Sequence, residues 1–463
     1  MFLPLALPLL DWARSRGAVV SPSVDLASGP NGRGLFAISD VAAGAELVTL
    51  PAELQLGVGQ LAAGGDAELQ QMIRGLPWRD VVSSGLTFLP CAISLAAEKR
   101  KGDASIFADY SAFLAETPYS NAIAPLRDGS CGDAVEDELL GTLAPATAAK
   151  VASRRQKVRA IHEQLAPASL PLGDLCWASA CACSRSLTRR IVAPLTADET
   201  ATIGEVAAAD TSRLLPVIDL VNHGGRGGAN ADVKHLKDGT ALPEYDPFST
   251  SLVATRDIAA GDEVLLDYGA GAPVANEKLL LDYGFVLRPH AEDTLTMRVE
   301  DLLSALGALE GERGGMSDVP GDQVDALRQL IGAIANHAER KQGAAALFGA
   351  NGAPSLPTLA LALALSPRGP EDVARLLTAF ASGLNDAGGF DSPAAFEEML
   401  LALVKGSTDE QSQLALSMLS IAARMALSQV SEPEGEAAED FDEMSRAFCA
   451  ARYEMLMRVA ERG

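Results

Sequence analysis

Two short segments place polar side chains directly after apolar runs, where groups available for chemistry are expected. LLPVIDLVNHGG, residues 214–225, presents Asp219, Asn222 and His223 before a glycine-rich loop, and LLLDYGFV, residues 279–286, sets Tyr283 among aliphatic residues. Buried polar groups must find hydrogen-bond partners or a ligand. The alternatives are a satisfied Asn-His turn and a core tyrosine with its hydroxyl at the surface.

A phrase in RDIAAGDEVLLDYG, residues 256–269, also occurs far upstream in SDVAAGAELVTLP, residues 39–51. Both contain Asp, an aliphatic residue and Ala-Ala-Gly, followed by acidic and aliphatic residues. Two isolated copies do not make a tandem repeat, which would show a period of about 20 to 50 residues. We therefore predict one turn type used in two hairpins, with turns at Gly44 and Gly261. The predicted strands are residues 35–38 and 47–50 in one hairpin, and 251–255 and 264–268 in the other.

Length and charge limit the classes of partner. The chain has 463 residues, 48% of them hydrophobic, which is enough for two or three domains. A formal net charge of −24 repels phosphate backbones, and we find no basic stripe interleaved with aromatic residues, so nucleic acid is not an expected partner.

The N-terminal apolar run is too short for a membrane span and lacks the basic segment of a secretory signal. A cytoplasmic location is expected, with plastid or nucleus as alternatives, since no targeting segment is visible.

The cysteines are sparse and follow no disulfide framework, which favours a reducing compartment. Three of the six, Cys176, Cys181 and Cys183, lie in CWASACAC. This cluster could indicate zinc, but a structural zinc site needs four ligands, usually in paired spacings. Helix packing of small side chains is the preferred interpretation, and no metal is expected.

Periodicity predicts an α+β fold in two domains. Residues about 60–210 show helical periodicity between the two predicted hairpins, which indicates a helical insert within a small β domain. From residue 291 the hairpin signals stop, and segments such as DALRQLIGAIANHAERKQGAAALF, EDVARLLTAFASGL and SQLALSMLSIAARMALSQV are typical of amphipathic helices. We predict an all-α domain over residues 291–463.

Together the motifs resemble those of the SET-domain protein methyltransferases. GRGLFA, residues 32–37, resembles the family's glycine-containing entry motif, VIDLVNHGG its Asn-His motif, and EVLLDYG with LLLDYGFV its two tyrosine segments. The motif order and the helical insert are similar to the Rubisco large-subunit methyltransferase branch. This resemblance implies a SET domain over residues 1–290, an all-α substrate-binding domain over residues 291–463, and a monomer.

The resemblance implies a protein-lysine N-methyltransferase that uses S-adenosylmethionine and acts on a non-histone protein. Methyl transfer is an in-line displacement, which needs the acceptor nitrogen about 3 to 3.5 Å from the methyl carbon. A lysine ammonium must also lose a proton, which desolvation and a nearby positive charge favour. Two alternatives remain: a histidine methyltransferase of a cytoskeletal protein, and a catalytically silent SET-fold module that binds protein.

The resemblance also implies roles for individual residues. Tyr283 would be the catalytic tyrosine, with Tyr268 beside it. The substrate-binding set is Arg189, Asp219, Tyr268 and Tyr283. The cofactor-binding set is Asn31, Gly32, Arg33, Arg185, Asn222 and His223.

The segment WASACACSRSLTRR, residues 177–190, resembles the family's tryptophan-led helix. Arg185 and Arg189 are four residues apart and would share one face of a helix. Arg185 would contact the cofactor carboxylate and Arg189 the substrate, whereas a solvated basic face is the alternative.

Two features bear on the acceptor and its binding. His223 is followed by Gly-Gly, where this branch usually has a small hydroxyl residue, and the loop before Asn230 is lengthened. The histidine-methylating relatives generally lack a tyrosine at the position of Tyr283, so its presence favours lysine as the acceptor.

Overall fold

A computed structural model gives the architecture of the chain. It describes residues 3–4, 9–57, 76–78, 81, 85–116, 145–165, 170–188, 212–235, 249–269, 271, 274–287, 290–297, 302–305, 319–342, 346–365, 367, 370–382, 392–427, 450–455 and 457–459. The chain divides into two compact units. The first comprises residues 1–141, 146–274 and 278–285, and the second comprises residues 142–145, 275–277 and 286–463.

Short antiparallel sheets organise the first unit. One has the order β1-β3-β4 and another the order β2-β5-β10-β9. Two smaller pairs complete the set, β6 with β7 antiparallel and β8 with β11 parallel. The strands are β1 (Leu3–Pro4), β2 (Val19–Val20), β3 (Val24–Gly29), β4 (Gly32–Ala37), β5 (Glu46–Leu50), β6 (Leu187–Thr188), β7 (Ser212–Arg213), β8 (Asn222–His223), β9 (Ala231–His235), β10 (Thr250–Ala254) and β11 (Leu265–Leu266).

The two copies of the repeated phrase pair with each other. Val41 and Ile258 exchange backbone hydrogen bonds of 2.9 Å in both directions. The Asp40 carboxylate accepts from the backbone of Ala260, and the Asp257 carboxylate accepts from the backbone of Ala43. This reciprocal pattern relates the two copies by an approximate two-fold symmetry.

The prediction of two separate hairpins is therefore wrong in its strand pairing. Strands occur close to the predicted positions, but β4 pairs with β3 in one sheet, whereas β5 pairs with β10 in another. Each phrase turns the chain from one sheet to the next. Gly44 and Gly261, at φ 85° and 94°, supply the left-handed turn residue in each copy.

The helical insert packs on this β framework around one hydrophobic core, which also contains Trp12 and Tyr110. Tyr110 lies against Trp12 with ring centroids 6.1 Å apart, so the insert and the N-terminal helix share an aromatic contact. The helices of the first unit are α1 (Leu9–Ser15), α2 (Leu89–Lys101), α3 (Ala108–Ala115), α4 (Pro145–Gln164) and α5 (Leu172–Arg185). Single turns of helix occur at Ala52–Leu54, Gly102–Ala104, Ile218–Leu220, Gly225–Gly228, Asn276–Lys278 and Leu279–Tyr283.

The second unit is mainly helical, as the periodicity predicts, and has its own hydrophobic core. Its helices are α6 (Gly321–Gln342), α7 (Leu356–Leu365), α8 (Pro370–Ser382), α9 (Pro393–Lys405) and α10 (Asp409–Leu427). It also contains an antiparallel pair of strands, β12 (Thr294–Met297) and β13 (Ala346–Gly349). The prediction of an all-α unit is therefore wrong on this point. The strands were hard to predict because each is only four residues long and α6 separates the two in the sequence.

The cysteines differ in their states. Cys91, Cys181 and Cys183 are free thiols, and Cys181 is fully buried in α5 as the packing interpretation expects. Cys176 is disulfide-bonded, which the spacing did not indicate because pairing depends on distance in the fold.

Within the described ranges, no group of three or more His, Cys, Asp or Glu side chains could hold a metal ion. None of the described helices is long and apolar enough to cross a membrane.

Candidate active site

A cavity of about 520 Å³ in the first unit brings together several of the predicted site residues. Arg185, Asp219, Tyr268 and Tyr283 all line it, although they come from four separate segments of the chain. Arg189 lies outside the described residues. Helix α5 ends at Arg185 and an extended strand follows, so the helical spacing argument for Arg185 and Arg189 does not apply.

Serine side chains explain where α5 ends. The Ser184 hydroxyl donates to the carbonyl of Ala180 at 2.9 Å, and the Ser186 hydroxyl donates to the carbonyl of Ala182. Serines that bond to their own backbone compete with the helical ladder. Arg185 therefore sits at the last helical position, where it reaches the cavity.

The apolar run before the Asn-His pair ends in a strained turn. Val217 is fully buried and has φ 74° and ψ −49°, a region that a β-branched residue rarely adopts. Such backbone outliers persist only where their surroundings hold them, and they cluster at functional sites. The turn at Ile218–Leu220 that follows directs Asp219 to the cavity.

The Asp219 carboxylate is buried and held by the helical insert. The Tyr110 hydroxyl of α3 donates to Asp219 Oδ2, and the Arg185 guanidinium donates to the backbone carbonyl of Asp219 at 3.0 Å. Burial raises the pKa of Asp219 to about 6, and the charge of Arg185 limits this rise. Asp219 therefore titrates just below neutral pH.

Asn222 and His223 form β8, which runs parallel to β11. Parallel pairing places the Asn-His pair beside the strand that leads into Tyr268. The backbone N–H of Tyr268 donates to His223 Nδ1 at 3.2 Å, and the two rings lie 5.0 Å apart. The two motifs are thus joined through both backbone and side chains.

Aromatic rings continue from His223 across the wall of the cavity. Tyr268 lies 4.7 Å from Tyr283, and Tyr283 lies 6.2 Å from Phe285. The Tyr268 hydroxyl donates to the carbonyl of Val221 at 2.9 Å. Burial raises the pKa of Tyr268 to about 12 and also raises that of Tyr283, so both phenols stay protonated at neutral pH.

A single π-helical turn, Leu279–Tyr283, carries Tyr283 and ends at Gly284, which has φ 80°. Such turns occur often at functional sites. The neighbouring Asp282 carboxylate accepts from Arg154 of α4 and from Lys278. Burial would raise the pKa of Asp282, but these two cations outweigh it and hold the pKa below its usual value.

The glycine-containing motif lies next to Asn222. The Asn222 amide donates to the carbonyl of Arg33 at 3.1 Å, while the Arg33 guanidinium stacks over the Phe113 ring at 4.3 Å. Gly32 has φ 88°, and a Cβ there would meet nothing within 4 Å. Gly34 is the tightly packed glycine of this motif, because a Cβ there would lie 2.9 Å from the Asn222 amide nitrogen. The cavity lining does not include Asn31, Gly32, Arg33, Asn222 or His223. His223 reaches the cavity wall through its contact with Tyr268.

Sequence reasoning missed Gly34, Tyr110, Asp282 and Glu263. The Glu263 carboxylate accepts from Asn222 at 2.6 Å and from Asn31 at 2.9 Å. The only sequence feature that could have indicated Glu263 is its position in the repeated phrase. Glu46 has the same position in the other copy, so the phrase alone does not distinguish the two glutamates. Tyr110 carried no signal, because it stands among other aromatic residues in a helical segment.

Comparisons with known proteins give structural matches alone, since no family model matches and the search of curated proteins found no match. The structure of Rubisco LSMT bound to AdoMet superposes with a TM-score of 0.60 at 16% identity, covering 99% of this chain and 91% of that one. The LSMT SET domain bound to MeLysine and AdoHcy gives a TM-score of 0.59 at 17% identity, covering 98% and 90%. Rubisco LSMT bound to sinefungin and monomethyllysine gives 0.57 at 16% identity, covering 98% and 89%. The chain therefore has the fold of the SET-domain methyltransferases of the Rubisco LSMT branch.

Proposed function

We propose that the protein is a lysine N-methyltransferase that takes its methyl group from S-adenosylmethionine and modifies a non-histone protein. The observation that carries this proposal is the convergence of His223, Tyr268 and Tyr283 beside one cavity, next to the Asn222 amide. The likeness to structures that hold AdoMet or AdoHcy and a lysine supports the same conclusion.

The residues present fit such a methyl donor. Close packing at Gly34 holds the glycine-containing strand against the Asn-His motif, since a Cβ there would lie 2.5 Å from the Glu263 carboxylate and 2.9 Å from the Asn222 amide. Arg185 places a guanidinium on the cavity wall, which suits a carboxylate. We assign the methionine end of the donor to Asn31, Gly32, Arg33, Asn222 and His223, with Arg185 on its carboxylate.

S-adenosylmethionine, when bound, supplies a methyl group on a positively charged sulfur: the C–N bond forms as the C–S bond breaks, its electron pair stays on sulfur, and the amine proton leaves. The chain must therefore orient a neutral amine and keep other nucleophiles out. Tyr268 and Tyr283 line the cavity with rings 4.7 Å apart and hydroxyls that stay protonated, so they can orient the amine by hydrogen bonds without competing as phenolates. Asp219 supplies a buried carboxylate that attracts the lysine ammonium on entry.

The remaining assignments are also proposals. We assign binding of the protein substrate to the second unit. The support is that the LSMT structures match 98% to 99% of the chain, so their fold includes a counterpart of this unit. The net charge of −24 favours a basic segment on that substrate. We also propose that Arg189 contacts the substrate, and that the protein is a monomer located in the cytoplasm.

The test is methyl transfer from labelled S-adenosylmethionine into a soluble protein extract, with the wild type and Asn222→Ala compared over a range of donor concentrations. Loss of the Asn222 amide removes a hydrogen-bonding group that we assign to the donor and should weaken donor binding by about 1 to 3 kcal/mol. We expect low labelling by Asn222→Ala that rises toward the wild-type level at high donor concentration. Absence of label with the wild type, together with absence of donor binding, would instead favour the silent binding module.

A further inference from the structure

Glu263 connects the two segments assigned to the methionine end of the donor. Its carboxylate accepts from Asn31 on one oxygen and from Asn222 on the other, at 2.9 and 2.6 Å. The backbone of Glu263 is itself held, because its carbonyl accepts from the Asn230 side chain at 2.8 Å. The carboxylate is therefore a fixed acceptor between the glycine-containing motif and the Asn-His motif.

Both N–H groups of the Asn222 amide are used. One donates to the carbonyl of Arg33 at 3.1 Å and the other to Glu263 Oε1 at 2.6 Å. The amide oxygen of Asn222 accepts no hydrogen bond from any described residue. A flipped amide would place that oxygen against the Arg33 carbonyl and the Glu263 carboxylate, so that acceptors would face acceptors. Glu263 thus fixes which way the Asn222 amide points.

The symmetry-related Glu46 shows that the repeated phrase does not itself require this role. Glu46 occupies the same place in the upstream copy and takes part in the equivalent strand contact, opposite Val253 as Glu263 is opposite Phe36. Its carboxylate accepts from the Thr49 hydroxyl at 3.3 Å, and Thr49 also bonds to Ser251 at 2.7 Å. The two glutamates share a local structure and differ in what their carboxylates hold.

We propose that Glu263 is a positioning residue that presents the Asn222 amide oxygen to the ammonium group at the methionine end of the donor. An acceptor oxygen backed by a carboxylate is suited to a cationic N–H donor and unsuited to another acceptor. The inference rests on the proposed function, because it assumes that this donor binds beside Asn222.

The experiment is isothermal titration of two ligands into wild type, Glu263→Ala and the matched control Glu46→Ala. S-adenosylhomocysteine carries the ammonium, whereas 5′-deoxy-5′-methylthioadenosine lacks the whole amino-acid end. We expect Glu263→Ala to weaken S-adenosylhomocysteine binding by about 10-fold or more, the scale of a hydrogen bond to a charged group. Binding of methylthioadenosine should change by less than about 2-fold, and Glu46→Ala should bind both ligands as the wild type does.

The possible failures are distinguishable. Equal losses for both ligands, or similar losses in both variants, would indicate a structural role and overturn the inference alone. Failure of the wild type to bind S-adenosylhomocysteine would overturn the proposed function and the inference together. Glu263→Gln covers the case in which Glu263→Ala does not fold, because it keeps the shape and removes the charge. We expect a selective loss of about 3-fold or more from Glu263→Gln, since charge-assisted hydrogen bonds are about twice as strong as neutral ones. Wild-type affinity in Glu263→Gln would refute a role for the charge.

Discussion

Substitution of Gly34 by alanine should damage the donor site while leaving the fold intact. An added Cβ would lie 2.5 Å from Glu263 Oε1 and 2.9 Å from the Asn222 amide nitrogen, whereas ordinary van der Waals contact begins near 3.4 Å. The Glu263 oxygen must therefore retreat by about 0.9 Å, from 2.5 to 3.4 Å. A shift of this size away from Asn222 would stretch the Asn222–Glu263 hydrogen bond from 2.6 Å to about 3.5 Å, the outer limit of hydrogen-bond length, and so weaken it severely.

The loss of affinity can be estimated from one contact, the hydrogen bond between the Asn222 amide oxygen and the donor ammonium, because the released amide no longer presents that oxygen. A hydrogen bond to a charged group contributes about 1.5 to 3 kcal/mol, which corresponds to a 10- to 100-fold change in affinity. Gly34 does not have a positive φ, so alanine introduces no backbone strain there. We expect Gly34→Ala to bind S-adenosylhomocysteine about 10- to 100-fold more weakly, with a free energy of unfolding lowered by up to about 3 kcal/mol because the Asn222–Glu263 hydrogen bond is disrupted.

Gly44→Ala is the matched control. Gly44 has φ 85° and open space around the added Cβ, so alanine there introduces strain without a steric clash. We expect it to lower the free energy of unfolding by about 1 to 3 kcal/mol and to leave ligand affinity unchanged. Calorimetric titration and urea unfolding of both variants measure the two quantities. Wild-type ligand affinity in Gly34→Ala would refute the assignment of this cluster to the donor.

Three further predictions concern the cavity. Tyr283→Phe should lower turnover by at least about 10- to 100-fold with donor affinity little changed, as expected for loss of an orienting group; undiminished turnover would remove Tyr283 from the mechanism. Burial raises the pKa of Asp219 from its ordinary value of 3.8 to about 6, so ionisation of this carboxyl costs more in the folded state than in the unfolded state. Its contribution therefore destabilises the fold as pH rises from about 4 to about 7. Urea unfolding should therefore show Asp219→Asn gaining about 2 kcal/mol relative to wild type between pH 4 and pH 7, and a constant difference would contradict the assigned pKa. Asp282→Asn should weaken both ion pairs beside Tyr283 and lower the free energy of unfolding by about 2 kcal/mol at pH 7, whereas unchanged stability would mean that Arg154 and Lys278 do not hold this turn.

The repeated phrase illustrates what local sequence can and cannot predict. It correctly indicated two similar turns, because Ala-Ala-Gly with a preceding Asp specifies a backbone conformation. It could not indicate that the Asp of each copy caps the other copy, since partner choice depends on the sheet arrangement. For the same reason the pattern could not distinguish Glu263 from Glu46.

Some parts of the candidate site could be predicted from the sequence and others could not, for similar reasons. The segments around Asn222 and Tyr283 stand out because polar residues interrupt apolar runs, and the structure brings both beside one cavity. The contribution of Tyr110 depends on how α3 packs, and the π-helical turn before Tyr283 has no pattern distinct from an ordinary helix. The end of α5 at Arg185 depended on serine side chains that bond to the backbone, which outweighed the helical spacing of Arg185 and Arg189.

The measurement that tests the central claim most directly is the identity of the residue that receives the methyl group. Wild-type protein is incubated with labelled S-adenosylmethionine and a soluble protein extract, and the labelled product is digested and mapped by mass spectrometry. The proposed function predicts label on a lysine side chain of a non-histone protein. Label on histidine would contradict lysine as the acceptor while keeping methyl transfer, and absence of any labelled protein together with absence of donor binding would contradict the enzyme itself.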